Sequence, residues 1–414
     1  MTTGRRQDGV SPLRRCYATC IEALPGGANI EGMHSRPLTV LDITKWYGER
    51  SGGVRTYLDE KQRYVAGRPD VRHVLVIPGE RDQMVDDGNT RCYRIRGPRI
   101  PSQRQYRFLL APRTLRRIIE REQPDIIEVG SPIFVPWITR FAARGRSTPL
   151  VGFYHTDIRA SLAPILGRLA RPTSGFYVRL LDRMFATTFV ASETSEAELR
   201  RAGATRLTRV SLGADLEVFH PRHRARRTRT RALLGLPLDA PVVTYLGRLA
   251  PEKGLDVALA AWRMVEARTH ATLVVMGDGP LAPALRAASA RMRVRWLPFE
   301  TSRERVAMLL AASDVYLSPG PNETFGLAAV EAMACGTPLV AADRGSVAEH
   351  VRRSQGGALF EAGRPRSLAD QLLSAIAGSL SDAGTKARAF VQAHHSWSMA
   401  FDRIFATYDT LVHQ

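Results

Sequence analysis

Short apolar segments recur along the chain between longer, arginine-rich segments with a helical pattern. The first series comprises PLTVLDIT from Pro37, then HVLVIPG, PDIIEVG, PLVGFYH and TTFVAS. Strands that alternate with helices form a parallel sheet covered on both faces, because each crossover helix packs against one face. The pattern therefore predicts a doubly wound α/β domain over residues 37–220.

A second series of the same kind follows a charged run, RHRARRTRTR, which we interpret as a solvated linker or a first helix. Its apolar segments are PVVTYLG, ATLVVMG, RVRWLPF, DVYLSPG and TPLVAAD. We predict a second Rossmann-like domain over residues 221–387 and a cleft between the domains, because ligands bind beyond the carboxyl ends of such strands. Residues 388–414 have a helical pattern and could pack back on the first domain.

The composition narrows the class of protein. A chain of 414 residues, 44% hydrophobic and 24% charged, is typical of a soluble globular protein with two domains. No apolar run approaches the roughly 18 residues that a spanning helix needs, and the N-terminus MTTGRRQDGVSPLRRC lacks the apolar core of a signal peptide. We therefore predict a cytoplasmic protein in which residues 1–36 are a flexible extension, with Met33 as an alternative start.

The net charge of +19 predicts a surface that attracts polyanions. Nucleic acid, anionic lipid headgroups and phosphorylated substrates all fit this charge, which alone does not choose among them. The cysteines have neither the spacing of a metal site nor the density of a disulfide scaffold, so we predict free thiols. They are Cys16, Cys20, Cys92 and Cys335.

Paired glycines follow the first predicted strand. Gly52 and Gly53 stand at the start of the helical pattern VRTYLDEKQRYV. Because glycine has no Cβ, backbone N–H groups there can approach a phosphate at the N-terminus of a helix. This motif alone leaves an ordinary turn open as the alternative.

Two cations occupy the loop after the first strand of the second series. In GRLAPEKG, Arg248 and Lys253 fall at the predicted carboxyl edge of the sheet, where a guanidinium and an ammonium can clamp a diphosphate. GDGP, with Gly277 and Asp278, follows the next strand and predicts a tight turn close to a ligand. Isolated surface cations are the default alternative.

The segment PGPNETFGLAAVEAMACGTP carries two glutamates. It predicts a loop that enters a helix near Phe325, so that the free amides of Phe325, Gly326 and Leu327 form an anion site. Glu331 falls within the apolar helix, where a carboxylate is costly without a partner, and ribose hydroxyls would be suitable partners. Glu323, in the loop, could hold hydroxyls of a transferred sugar. Either glutamate alone could also be a cap or surface residue.

His155 ends the predicted strand PLVGFYH. A histidine that only packs within the fold is the commoner case in general. A position at the carboxyl end of a strand favours a role in the site, because ligands bind at that edge.

These motifs, in this order, resemble those of the family-4 retaining glycosyltransferases of the GT-B fold. The resemblance rests on SGGVRTYL, GRLAPEKG, GDGP and ETFGLAAVEAMACGTPLVAAD, and it covers the chain from about Pro37 onward. Glu323 and Glu331 match the E-x7-E signature of the family. The resemblance implies two Rossmann-like domains and transfer of a sugar from a nucleotide diphosphate.

Carried across residue by residue, the resemblance implies catalytic and donor-binding roles. Catalytic roles fall to His155, near the reacting sugar, and to Arg248, Lys253 and Glu323. Glu331 binds the ribose in this scheme. The remaining donor-binding positions are Gly52, Gly53, Arg248, Lys253, Gly277, Asp278, Glu323, Phe325, Gly326 and Leu327.

The segments WYGERSGGVRTYL and PGPNETFGLAAVEAMACGTP are further similar to GDP-mannose-dependent α-mannosyltransferases of the phosphatidylinositol mannosyltransferase type. This resemblance implies transfer of a hexosyl group, mannose from GDP-mannose, to a lipid-linked or glycan acceptor hydroxyl. A UDP-sugar donor is the alternative within the family.

The sequence offers no carboxylate that is free to act as a nucleophile, so we expect front-face displacement with retention of configuration. Arg248, Lys253 and the helix N-terminus at Phe325 would stabilise the charge that develops on the diphosphate. The sequence contains no DxD-like cluster. We therefore expect no metal site and no required cofactor, with Mg²⁺ at most present without a dedicated protein site.

A basic stretch extends from Arg91 to Arg117 and contains no acidic residue. Interleaved with Tyr106, Phe108 and Leu109, it could bind an anionic bilayer. A solvated basic face is the alternative. A lipid acceptor would favour the first interpretation, with the enzyme located peripherally at the inner face of the cell membrane.

Three other functions compete with a transferase. One is a catalytically silent regulatory partner that retains the fold, and the intact Arg248, Lys253, Glu323 and Glu331 argue against it. An NDP-sugar epimerase of the same fold would need acid and base residues in the cleft in place of the E-x7-E pattern. A nucleic-acid-binding protein would need aromatic residues clustered beside the arginines, and these are sparse. We therefore expect a nucleotide-sugar partner and no nucleic acid.

Overall fold

The computed structural model describes residues 36–48, 52–100, 103–156, 158 and 167–413. Residues 1–35 of the predicted flexible extension, with Met33, Cys16 and Cys20, lie outside the described residues. Cys92 and Cys335 are free thiols, as predicted.

Two large sheets organise the described residues, and two further short strands, the fifth and sixth of the chain, form a separate antiparallel pair. The strands are β1 Leu38–Ile43, β2 Val71–Gly79, β3 Gln83–Asp87, β4 Thr90–Arg96, β5 Arg99–Ile100, β6 Gln103–Arg107, β7 Ile126–Val129, β8 Leu150–Phe153, β9 Thr187–Val190, β10 Leu207–Arg209, β11 Val242–Leu246, β12 Thr272–Met276, β13 Val294–Leu297, β14 Val315–Ser318, β15 Leu339–Ala342 and β16 Gly357–Phe360. All ten apolar segments of the sequence form strands. Apolar runs of this length are typical of strands that a parallel sheet buries on both faces.

The first sheet has the order β10-β9-β8-β7-β1-β2-β4-β3, and the second has the order β13-β12-β11-β14-β15-β16. Within these sheets, every pairing is parallel except that of β3 with β4. The strand order reverses beside β1 in the first sheet and beside β11 in the second, which is the doubly wound arrangement. The predicted α/β fold class is confirmed.

Helices connect the strands on both faces of the sheets. Their bounds are Gly53–Ala66, Pro112–Glu122, Val135–Ala142, Ala170–Met184, Glu193–Arg201, Arg227–Leu234, Leu255–Glu266, Ala282–Ala288, Arg303–Ala312, Leu327–Ala334, Ser346–Ser354, Pro365–Ser374, Ala383–His394 and Trp397–Val412. In the part of the chain that the structure describes, none of them has the length and apolar character needed to cross a bilayer.

The arginine-rich stretch after β2 forms an antiparallel hairpin that the sequence analysis missed. Asp87 pairs with Thr90, which leaves Gly88 and Asn89 as a two-residue turn, and Gly88 has a φ of 61°. Such turns need a positive φ, which glycine adopts without steric cost. The Asp-Gly pair within this segment was the signal that could have found the hairpin.

The charged run before the second sheet forms a short 3₁₀ turn, Pro221–Arg226, and the helix Arg227–Leu234. Interpretation as a first helix was correct, but the run is not uniformly solvated. Arg231 is buried, because its guanidinium donates to Asp314 Oδ2 at 2.7 Å and to the carbonyl of Ala312 at 3.0 Å. The arginine thus fastens the helix to the second sheet.

The last helix, Trp397–Val412, packs against the helix Gly53–Ala66 of the first sheet. Its Tyr408 hydroxyl accepts a hydrogen bond from Lys61 Nζ at 2.8 Å and donates one to Glu128. Lys61 is fully buried and also binds Asp42 Oδ1 at 3.0 Å. Burial raises the pKa of Glu128, whereas Lys61 and His73 together outweigh burial and lower the pKa of Asp42.

Candidate active site

Two glycine-bounded loops lie against each other at the carboxyl edge of the second sheet. The Leu249 amide donates to the Asp278 carbonyl at 2.9 Å. A Cβ on Gly277 would lie 1.9 Å from the carbonyl oxygen of Gly247, and one on Gly279 would lie 2.3 Å from that of Leu249. Only glycine permits this approach, so GDGP supports the loop that carries Arg248 and Lys253.

The two predicted diphosphate ligands differ in their surroundings. Lys253 Nζ donates to Glu323 Oε1 at 2.7 Å, which brings two of the predicted catalytic residues together. The Arg248 backbone carbonyl accepts a hydrogen bond from the Tyr245 hydroxyl at 2.8 Å. Arg248 Nε is buried, and no hydrogen-bond partner for it occurs among the described residues. This donor is therefore available for a ligand.

The helix predicted to start near Phe325 spans Leu327–Ala334, with Gly326 as its N-cap at a φ of 80°. A Cβ on Gly326 would lie 2.3 Å from Val347 Cγ2, so this position requires glycine. The Phe325 carbonyl accepts a hydrogen bond from His350 Nε2 at 2.9 Å. These contacts fix the loop, and the first helical amides, which have no acceptor within the helix, remain directed at its N-terminal side.

Glu331 has a partner that the sequence analysis missed. Its Oε1 lies 3.4 Å from the guanidinium of Arg303, at the start of the helix Arg303–Ala312. Burial raises the pKa of Glu331 to about 7, although Arg303 acts in the opposite direction. Arg303 also lies over the Phe219 ring at 5.0 Å. Its place after the strand β13, where ligand-binding loops occur, was the only signal in the sequence.

Glu323 and Glu331 converge on one buried tyrosine of the second sheet. Burial raises the pKa of Tyr316, and both glutamates raise it further. The Tyr316 hydroxyl donates to the Leu246 carbonyl at 3.1 Å, at the end of the strand that precedes Arg248. The E-x7-E pair and the cationic loop therefore share one edge of the sheet.

His155 lies at the carboxyl edge of the first sheet, as predicted. Its ring stacks on Phe153 with centroids 3.9 Å apart. Burial lowers the pKa of His155 to about 3, so the imidazole is neutral at physiological pH. Its carbonyl accepts a hydrogen bond from the Thr324 hydroxyl at 3.2 Å, which places His155 beside the loop that carries Glu323.

A second contact joins a helix of the first sheet to a helix of the second sheet, and the sequence analysis did not predict it. The Glu349 carboxylate accepts hydrogen bonds from the Glu193 amide at 3.0 Å and from the amide and hydroxyl of Thr194. It thereby satisfies free amides at the N-terminus of the helix Glu193–Arg201. Glu349 is one of several glutamates in an ordinary helical pattern, so no signal in the sequence distinguished it.

Gly52 and Gly53 begin the helix Gly53–Ala66 and are exposed. A Cβ on either glycine would meet no atom within 4 Å. Contacts within the protein therefore do not demand glycine here, and the free space leaves the helix N-terminus open to a ligand. Residues 49–51 of this loop lie outside the described residues.

Comparison with known protein families shows to which family the chain belongs. The model of Glycosyltransferase Family 4 matches residues 51–218, and that of Glycosyl transferases group 1 matches residues 240–377. A GDP-mannose-dependent alpha-(1-6)-phosphatidylinositol dimannoside mannosyltransferase of Mycobacterium tuberculosis is 31% identical over 338 residues, which cover 80% of this chain and 86% of that protein. The chain belongs to the family-4 glycosyltransferases. It is therefore a glycosyltransferase, as the resemblance implied.

Further similarities agree with this family and establish the GT-B fold. A D-inositol 3-phosphate glycosyltransferase of Mycobacterium leprae is 34% identical over 223 residues, 51% of this chain and 50% of that protein. Sucrose-phosphate synthase from Thermosynechococcus elongatus superimposes with a TM-score of 0.74 at 20% identity, covering 90% of this chain and 98% of that one. The structure of Anabaena Alr3699/HepE in complex with UDP and glucose superimposes with a TM-score of 0.71 at 20% identity. The match covers 89% of this chain and 99% of that one.

Proposed function

We propose that this glycosyltransferase transfers mannose from GDP-mannose to a lipid-linked or glycan acceptor, with retention of configuration. The observation that carries the proposal is the common edge at which Arg248, Lys253 and the N-terminus of the helix Leu327–Ala334 meet the E-x7-E pair. Two cations and a set of free amides suit a diphosphate. The similarity to a GDP-mannose-dependent phosphatidylinositol dimannoside mannosyltransferase supports the choice of sugar and acceptor.

In the proposed reaction, the bond from the anomeric carbon to the diphosphate breaks while the acceptor hydroxyl attacks on the same face. Arg248 and Lys253 stabilise the leaving diphosphate, which itself takes the acceptor proton. Neutral His155 can hydrogen-bond the reacting sugar without adding charge. Lys253 must divide its contact between Glu323 and the phosphate when the donor binds. The anomeric signals of the product in NMR test retention, because an inverted product would contradict this scheme.

The remaining donor contacts follow the family pattern. Glu331 would exchange part of its contact with Arg303 for the ribose hydroxyls, and Glu323 would hold the transferred sugar. Gly52, Gly53, Gly277 and Asp278 would border the donor through their backbone. We propose no metal site and no required cofactor, since the two cations supply the positive charge that a metal would otherwise provide.

A panel of nucleotides tests the donor. We expect GDP and GDP-mannose to raise the melting temperature more than UDP, ADP or their sugar conjugates, because a ligand that binds only the folded state stabilises it. A UDP-sugar is the second candidate, since the Anabaena neighbour was solved with UDP. A larger shift with UDP would replace the GDP assignment.

The two sheets, over residues 37–220 and 221–387, are proposed to act as acceptor and donor domains that close on the substrates, with residues 388–414 packed back on the first. Closure would exclude water and limit hydrolysis of the donor. Glu349 and Thr324 lie where the two halves touch. They would stabilise the closed arrangement.

Residues in the basic stretch from Arg91 to Arg117 are more buried, and more often paired with carboxylates, than the sequence indicates. Tyr106 and Leu109 are buried. Acidic residues from outside the stretch, or beside it, pair with its arginines: Arg91 with Asp86 and Glu122, Arg99 and Arg107 with Glu80, and Arg116 with Glu120. A bilayer contact at this stretch would have to break these pairs.

Another surface fits an anionic bilayer better, and we propose it as the membrane contact of a peripheral enzyme at the inner face of the cell membrane. We call it the aromatic face, formed by the helices Val135–Ala142 and Ala170–Met184. Its exposed apolar residues are Phe134, Trp137, Phe141, Leu169 and Phe176. Exposed arginines lie among them, namely Arg140, Arg144, Arg179 and Arg183, and residues 132–156 contain no acidic side chain. Apolar side chains flanked by cations are suited to the interface of an anionic membrane.

A further inference from the structure

A cluster of unpartnered hydrogen-bond donors borders the cleft on the side of the first sheet. Trp46 Nε1 is buried, and no acceptor for it exists among the described residues. Lys45 is 8% exposed, and its ammonium has no hydrogen bond or ion pair with the described part of the chain. The contact that it does make is with the Trp46 ring, at 4.5 Å.

The position of Lys45 places this cluster beside His155. Lys45 follows β1, and its amide donates to the Ser131 hydroxyl at 3.0 Å, which is 2.9 Å from the Thr44 hydroxyl. A Cβ on Gly130, the residue before Ser131, would lie 3.6 Å from His155 Cδ2. The ends of β1, β7 and β8 therefore bring Lys45 and His155 to the same edge.

The other flank of the cluster faces the donor loop. Trp46 packs edge-on against Tyr106, with centroids 4.9 Å apart. Burial raises the pKa of Tyr106, and the Arg248 guanidinium acts in the opposite direction, which places Arg248 close to this ring. Lys45 is thus connected to His155 through Ser131 and Gly130, and Trp46 is connected to Arg248 through Tyr106, at the edge where an acceptor must approach the donor.

Other buried cations of the protein have carboxylate partners. Lys61 binds Asp42, and Arg231 binds Asp314. An ammonium on a buried side chain is costly without a counter-ion, and burial lowers the pKa of Lys45. An indole N–H can only donate. A ligand that satisfies both groups must therefore supply several acceptor oxygens and a negative charge.

We propose that Lys45 and Trp46 bind a phosphate group carried by the glycosyl acceptor. The proposal rests on the proposed transferase function and assigns an acceptor class to the same cleft. A phosphorylated acceptor beside the donor diphosphate would be repelled by it, and the Lys45 ammonium offsets that repulsion. A lipid headgroup and a soluble phosphate ester share this chemistry.

The test measures binding of myo-inositol 1-phosphate and myo-inositol by calorimetry, with and without saturating GDP. We expect Lys45→Met to weaken binding of the phosphate ester about tenfold or more, since a charge-assisted hydrogen bond is lost. Lys45→Arg should retain most of the affinity, and Trp46→Phe should weaken it severalfold. Arg113→Met removes an exposed arginine of the same half and should change nothing.

A second arm uses phosphatidylinositol in neutral detergent micelles. A Lys45-dependent affinity for these micelles identifies a lipid acceptor, whereas dependence for the soluble ester alone identifies a soluble one; both support the phosphate site. Equal affinity of Lys45→Met and the unmodified protein for both probes overturns it, as does equal binding of myo-inositol and its phosphate. Because the ester is measured also without GDP, failure of the proposed donor would appear separately, as an absent GDP signal.

Discussion

The two sides of the cleft satisfy their charges in different ways. On the donor side, Lys253 pairs with Glu323 and Glu331 pairs with Arg303, although the buried Nε of Arg248 has no hydrogen-bond partner among the described residues. On the acceptor side, Lys45 and Trp46 have no such partners among the described residues. A donor must therefore compete with internal ion pairs. An acceptor phosphate would instead bind donors that have no partner within the described residues.

Removal of the donor-side cations should have the largest effect. We expect Arg248→Ala with Lys253→Ala to lower kcat a hundredfold or more, since one lost contact to the developing charge costs about 3 kcal/mol. Steady-state kinetics with GDP-mannose measure this loss. The double variant Arg291→Ala with Lys386→Ala removes the same charges from exposed positions and should retain activity. Unchanged kcat in the first variant would contradict the donor-side assignment.

The comparison also explains which parts of the site could be predicted from the sequence. Arg248, Lys253 and Glu323 stand in loops that follow strands, so each could be predicted from its own motif, but no motif predicted that Lys253 pairs with Glu323. Arg303, Glu349 and Lys45 act through partners far away in sequence, or through the lack of one. Periodicity and spacing carry no information about such distant pairing.

The same limit applies to the fold. The ten apolar segments predicted both sheets, because a parallel strand is buried on both faces. The hairpin of β3 and β4 is polar and exposed on β3, so it lacked that signal. Arg231 was expected in a solvated run, but its guanidinium is buried because it forms an ion pair with Asp314, which is distant in sequence.

Membrane binding extends the comparison to the outer surface of the acceptor side. We expect Trp137→Ala with Phe141→Ala to reduce co-sedimentation with anionic liposomes about tenfold or more, because each buried aromatic side chain contributes about 2 kcal/mol. Arg113→Gln with Arg117→Gln, within the basic stretch, is the matched control. If the control lowers binding and the aromatic variant does not, the contact belongs to the basic stretch instead.

Acid should lower the free energy of unfolding through histidines near the contact between the two sides. We expect this effect to be smaller than the effects of the substitutions above. Burial lowers the pKa of His350 to about 4 and that of His395 to about 3, from 6.5. Folded pKa values below the unfolded ones mean that this stability is present above pH 6.5 and is lost as the pH falls toward 4. Glu331, with its pKa raised to about 7, acts oppositely: its stability is present below pH 4.5 and is lost as the pH rises through 7.

Urea unfolding at pH 7 and pH 5.5 can isolate one of these histidines. His350→Gln keeps a donor for the Phe325 carbonyl but cannot titrate. Its loss of unfolding free energy between the two pH values should be about 1 kcal/mol smaller than that of the unmodified protein. An equal loss in both proteins would show that His350 does not remain neutral in the fold.

The division of the cleft is tested most directly by kinetics with both substrates varied, in Arg248→Ala and in Lys45→Met. With phosphatidylinositol as acceptor, we predict that Arg248→Ala lowers kcat with little change in the acceptor KM. Lys45→Met should raise the acceptor KM about tenfold or more and leave the donor KM unchanged. A raised donor KM in Lys45→Met, with its acceptor KM unaltered, would contradict the account.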